Sequence, residues 1–156
     1  MIAMNAGSLA SINISNGGVP KGRAEACRIT KLGLEGDRQN DLRHHGGEER
    51  AVTLFSVEKI ALLQGEGHPI VPGSMGENLS VSGLDWELFV PGRRVSVGEV
   101  VLELTKFAAP CQNISGSFVG GDFTRVSQKV HPGWSRLYAR VLQDGVVRIG
   151  DAISLE

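Results

Sequence analysis

The chain has 156 residues, 41% of them apolar and 21% charged, with a net charge of −1 at pH 7. That length supports one self-sufficient core, and the composition is that of an ordinary globular protein. Acids and bases are mixed along the chain and aromatics make up only 5%, which removes both the electrostatic footprint and the stacking platforms of a nucleic-acid binder.

The opening stretch MIAMNAGSLASINIS has no basic leader and no continuous apolar run, so it does not read as a signal peptide. No segment approaches the roughly 20 apolar residues of a membrane span. One cytoplasmic domain over residues 1–156 is expected, with Cys27 and Cys111 as free thiols. The 21 glycines lie in no low-complexity tract; they are expected at turns and close backbone approaches in a loop-rich fold.

In chain order, SLASINIS predicts a strand with Ala10, Ile12 and Ile14 on one face, and AEACRITK a strand that packs Cys27 beside Ile29. From Gly33 to Val52 the chain is polar and glycine-rich, gathering Asp37, Arg38, Arg43, His44, His45 and Arg50. FSVEKIALLQGEG predicts a helix capped by Ser56, with Val57, Ile60, Ala61 and Gln64 on one face and Gly65 or Gly67 at its end. PGSMGENLSV predicts turns and then a short strand. EVVLELT alternates most clearly, with Val100, Leu102 and Leu104 opposite Val101, Glu103 and Thr105. Asp144-Gly145 in LYARVLQDGVVRI predicts a tight hairpin, and Gly150-Asp151 a second turn before AISLE. Many short strands with one or two short helices predict an all-β fold, an irregular closed barrel that hides its strand edges.

Several stretches bear on chemistry. Cys111 follows Pro110 in FAAPCQNI; it is either a small buried hydrophobe or a thiolate that does chemistry or binds a soft metal. The Gly33–Val52 loop is either solvated or functional, since structureless loops of about 15 residues are uncommon in compact domains. His44 and His45 are adjacent, and no CxxC, HxxxH or HExxH spacing supports a zinc site. An oxyanion contact through one His and a nearby Arg is the better polar reading. Asn78 is either a turn residue or an amide offered to a heterocycle. Arg136 in HPGWSRLYARV is either a surface cation or a fork that reaches an anion in a barrel cavity. No P-loop, GxGxxG or GxSxG pattern occurs, so ATP, NAD and serine-hydrolase readings have no support.

Taken together, GLEGDRQ, HHGGEERAV, PGSMGENL, GLDW, PGRRVSVGEVVLELT, APCQNI and GWSRLYARVL resemble the MOSC domain, named for the C-terminal domain of molybdenum-cofactor sulfurase. The resemblance runs from about Ser11 to Ile153. It implies an irregular β-barrel. The hallmark cysteine of the family falls on Cys111, which in relatives such as the amidoxime-reducing components ligates the molybdenum of a pterin cofactor. By the same resemblance, Arg38, His44, His45, Asn78 and Arg136 are candidate cofactor-binding residues, and Cys111 is both catalytic residue and metal ligand. Positive charge is expected near Cys111, because a thiol of reference pKa about 8.5 needs a cation or metal beside it to ionise at neutral pH.

The family's larger members carry parts with no counterpart here: an extra N-terminal barrel, a ferredoxin-like extension and a pyridoxal-phosphate desulfurase domain. Electrons or sulfur are therefore expected from a partner protein. The leading expectation is a molybdenum-cofactor (molybdopterin) oxidoreductase that reduces N-hydroxylated small molecules with an external reductase. The alternatives are a sulfur carrier loaded as a persulfide at Cys111, and a non-catalytic ligand-binding barrel. Neither nucleic acid nor membrane is expected as a partner.

Overall fold

A computed structural model describes residues 6–37 and 47–156. The strands are β1 (Ala6–Ile14), β2 (Gly22–Ala24), β3 (Ala26–Thr30), β4 (Gly33–Leu34), β5 (Val52–Ser56), β6 (Leu79–Ser82), β7 (Arg94–Val97), β8 (Val100–Phe107), β9 (Leu137–Gln143), β10 (Gly145–Arg148) and β11 (Ala152–Leu155). One α-helix, α1 (Val57–Gly65), stands among the described residues. Strands β11, β7, β8, β9, β5, β6 and β1 pair in that order, and β1 pairs back onto β11. The ring is closed, as the sequence predicts. β2 adds to β1 outside the ring, and β10, β3 and β4 form a small second sheet.

Alternation builds the wall where it is cleanest. Val100, Leu102 and Leu104 are all buried on β8, while Val101, Glu103 and Thr105 are half-exposed. On β1 the expected face breaks. A bulge between Leu9 and Ser11 shifts the register against β6, so Leu9 and Ile12 are buried while Ala10 and Ile14 are only half so.

The one parallel contact in the ring is β5 with β6, and parallel neighbours need a crossover. α1 supplies it. Ser56 accepts from the Lys59 N–H at 3.1 Å as the helix cap. The buried stripe is Ile60 and Leu63; Ala61 and Gln64 face outward, and the Gln64 amide donates to the Ile70 carbonyl.

Asp144-Gly145 does not make the expected hairpin. β10 leaves β9 and pairs with β3, Gly145 opposite Ile29. At Gly145 a Cβ would lie 2.6 Å from Glu99 Cγ, so a larger residue would push the Glu99 side chain aside, and Glu99 accepts from the Val146 N–H at 2.8 Å. The second predicted turn is present, with the Asp151 N–H donating to the Arg148 carbonyl.

Cys27 is buried on β3 beside Ile29. Burial and the nearby Glu35 carboxylate push its thiol pKa up, which disfavours the reactive form. Cys27→Ala should therefore lower stability by about 1 kcal/mol, measured by urea denaturation, and leave ligand binding unchanged. A folded variant with altered ligand binding would contradict this.

Candidate functional site

β8 ends at Phe107, and the Ala108 N–H still donates to the Arg136 carbonyl before the chain turns away. Pro110 has no N–H with which to continue the ladder. Cys111 follows in extended conformation, partly exposed, at the head of the tight helical turn Gln112–Ser117, where its carbonyl accepts from the Ile114 N–H. No hydrogen bond reaches its thiol among the described residues. Cys111 is thus less buried than Cys27, the chain's other cysteine.

Arg136 lies within electrostatic range of this thiol. It precedes β9 and is only 3% exposed, so it is no surface cation. Nη1 donates to the Met75 carbonyl at 2.9 Å, while Nε is buried without a partner among the described residues. Burial lowers its pKa, against the opposing pull of Tyr138, Glu77 and Cys111, but a guanidinium stays charged at any ordinary pH. The result is a fixed buried cation within electrostatic reach of the Cys111 thiol.

Glu77 has no role in the sequence reading. It is fully buried, and neither carboxylate oxygen has a hydrogen-bond partner among the described residues. The N–H groups of Gly73, Met75 and Glu77 itself, with the Arg136 guanidinium, favour its anion, but burial outweighs them and raises its pKa to about 7. None of those N–H groups reaches hydrogen-bonding geometry. The only sequence signal was an acid set one residue after a glycine, within a turn already rich in glycine.

The Gly73–Glu77 segment is held beside a buried ion pair. Lys21 Nζ lies 2.6 Å from Asp37 Oδ1, both side chains 4% exposed, and the same oxygen accepts from the Ser15 N–H. The Lys21 N–H donates to the Gly73 carbonyl. Gly73 has φ +87°, and a Cβ there would lie 2.5 Å from the Lys21 carbonyl oxygen, so only glycine fits.

Asn78 is corrected by the structure. Its Oδ1 accepts from the Thr53 N–H, and its Nδ2 donates to the Asn13 carbonyl and to Asp37 Oδ2. With its side chain fully buried and its amide committed, it has nothing to offer a heterocycle; it ties β5 and β1 to Asp37. Arg38, His44 and His45 lie outside the described residues.

Among the described residues, no group of three or more His, Cys, Asp or Glu side chains is placed to hold a metal ion. No helix there is long and apolar enough to cross a membrane.

Comparison with known proteins agrees with the barrel. The protein YflK of Bacillus subtilis (strain 168) is 29% identical over 143 residues, covering 91% of this chain and 64% of its own length. The protein YiiM of Escherichia coli (strain K12) is 30% identical over 111 residues, covering 68% of this chain and 50% of its own length. The chain thus spans about half to two-thirds of these relatives. The crystal structure of YiiM from Geobacillus stearothermophilus superposes with a TM-score of 0.74 at 21% identity, covering 96% of this chain and 74% of that one. YuaD of Bacillus subtilis gives 0.71 at 18%, covering 96% and 95%. These two likenesses speak for the fold. The family model of the MOSC domain matches residues 41–154, well over half the chain. The chain belongs to the MOSC domain family.

Proposed function

We propose that this protein binds a molybdenum–pterin cofactor through Cys111 and reduces N-hydroxylated small molecules with electrons from an external reductase, in the cytoplasm. The observation that supports this most is the pairing of a partly exposed, unpartnered thiol with the buried Arg136 cation.

The residues present fit such a group. Thiolate is the soft ligand that suits a thiophilic metal. With one cysteine among the described residues at the site, a dithiolene cofactor would complete the metal's ligands. The orphaned Arg136 Nε is a buried donor of the kind that an anionic ligand satisfies. When bound, the cofactor supplies the two-electron reduction that takes an N–OH group, two protons and two electrons to N–H and water.

The chain's own part is to position and to set charge. Arg136 is held by the Met75 carbonyl as a fixed buried cation. Glu77 offsets part of that charge when ionised. Arg38, His44 and His45 stand in this reading as contacts to the anionic groups of the cofactor.

A sulfur-carrier reading draws on the same reachable thiol, with Cys111 loaded as a persulfide. The two separate on analysis of protein purified from cells that make the cofactor. Stoichiometric molybdenum with pterin is expected. Cyanide-releasable sulfur without metal would favour the carrier, and neither would leave a binding barrel.

A further inference from the structure

From Cys111 to Val126 the chain forms no strand. It runs through short tight turns, Gln112–Ser117, Val119–Gly121 and Phe123–Val126. No ladder of hydrogen bonds holds such a segment, so its order depends on its ties to neighbouring elements. Ile114, Phe118 and Val126 are buried. Among the described residues, hydrogen bonds cross to other elements at three places. Ser117 Oγ donates to Ser74 Oγ at 2.8 Å. The Val119 N–H donates to His68 Nδ1 at 3.0 Å. Arg125 donates twice to Glu66, from Nε to Oε1 at 2.9 Å and from Nη2 to Oε2 at 2.8 Å. Two of the three places thus lie on Glu66 and His68, at the C-terminal end of α1.

His68 is the tie that can change with conditions. Its side chain is only 12% exposed, and its ring packs edge-on against Phe118, centroids 5.3 Å apart. A ring nitrogen that accepts a hydrogen bond carries no proton, so the neutral ring bears its proton on Nε2. Nε2 faces Glu66 Oε1 at 3.4 Å. The Arg125 bonds hold the Glu66 carboxyl below its ordinary range, so Glu66 is already an anion when a histidine titrates. The cations nearby are Arg125 and Lys59, both stacked on Trp134, at 3.9 Å and 4.1 Å from the ring centroid.

A proton on Nδ1 would set two N–H groups against each other across the Val119 contact. That hydrogen bond is then lost, while Nε2–H keeps its place toward Glu66. Gly120 and Gly121 follow at φ +66° and +71°, so the backbone beside Val119 changes conformation at little steric cost.

We propose that His68 is a pH-sensitive latch on the segment that begins at Cys111: its neutral ring holds Val119, and its protonated ring lets Val119 go. Histidine is the side chain whose charge ordinarily changes between about pH 5 and about pH 8. The segment is therefore ordered at neutral pH and loosens around Val119 on acidification. This goes beyond the cofactor reading and holds whether Cys111 binds a metal or carries sulfur.

Hydrogen exchange of backbone amides, read by NMR on the purified protein at pH 7.5 and pH 5, tests the latch. Each rate is taken relative to the unfolded chain at the same pH, which cancels the intrinsic pH dependence. Protection at Val119, and at Gly121 whose N–H donates to the Phe118 carbonyl, should fall at least about tenfold on acidification. Leu104, whose N–H donates to the Arg93 carbonyl, should keep its protection. In His68→Asn the carboxamide oxygen stands where Nδ1 stands, accepts the same bond and takes no proton in this range. Protection at Val119 should then be the same at both pH values.

The ring nitrogen shifts of the unsubstituted protein give a second reading should the variant fold poorly. They should show the proton on Nε2 at pH 7.5 and a protonation midpoint that matches the loss at Val119. Unchanged protection in the parent protein, an equal fall in His68→Asn, or a ring with its proton on Nδ1 at pH 7.5 would overturn the latch.

Discussion

Replacing Glu77 with glutamine should improve stability relative to the unsubstituted protein as pH rises, by about 3 kcal/mol between pH 4 and pH 8. Unfolded, this carboxyl loses its proton near its ordinary value of 4.5; folded, burial holds the proton to about 7. Between those values the folded state binds more protons than the unfolded one, so raising the pH favours unfolding. The parent protein loses this share of its stability across that window and nothing below it. Glutamine cannot ionise and loses none. Other carboxylates titrate in both proteins, so the informative quantity is the difference between their urea-denaturation free energies at pH 4, 6 and 8. Parallel curves would mean that Glu77 is not held protonated by burial, and that Arg136 has a full counter-charge at neutral pH.

Cys111→Ser should abolish reduction of N-hydroxylated compounds while leaving the fold intact. Serine is nearly the same size, and Cys111 is partly exposed with no hydrogen bond at its thiol among the described residues, so its replacement should change stability by less than about 0.5 kcal/mol. The chemical change is far larger. A hydroxyl is a harder ligand and much less acidic, so neither the metal nor a persulfide finds its donor. Activity with cofactor and reductant supplied should fall by more than the roughly 100-fold that loss of a mere supporting partner costs. A folded Cys111→Ser protein with undiminished turnover would return Cys111 to an inert position.

Much of the barrel was legible because closure needs only alternation and turns, and β8 shows both without interruption. The failures were local. On β1 the bulge put Leu9 rather than Ala10 inward beside Ile12, and periodicity cannot see an insertion. At Asp144-Gly145 the dipeptide favoured a hairpin, but Glu99 claimed the space over Gly145 and β10 found its partner in β3. The place of Cys111 beyond the end of β8 was legible because Pro110 cannot continue the ladder. Its neighbours were less so. Asn78 carries the right groups for a ligand, yet three hydrogen bonds to Thr53, Asn13 and Asp37 consume them. Glu77 was missed because an acid in a glycine-rich turn looks solvated, and only the packed structure shows it sealed behind Arg136.

The central claim is that Cys111 supplies a sulfur to molybdenum. X-ray absorption at the molybdenum edge, on protein purified from cofactor-producing cells, reads that bond most directly. The parent protein should contain molybdenum with one more sulfur neighbour than Cys111→Ser reconstituted with the same cofactor. Parent protein without molybdenum, or the same sulfur count in both proteins, would contradict the account.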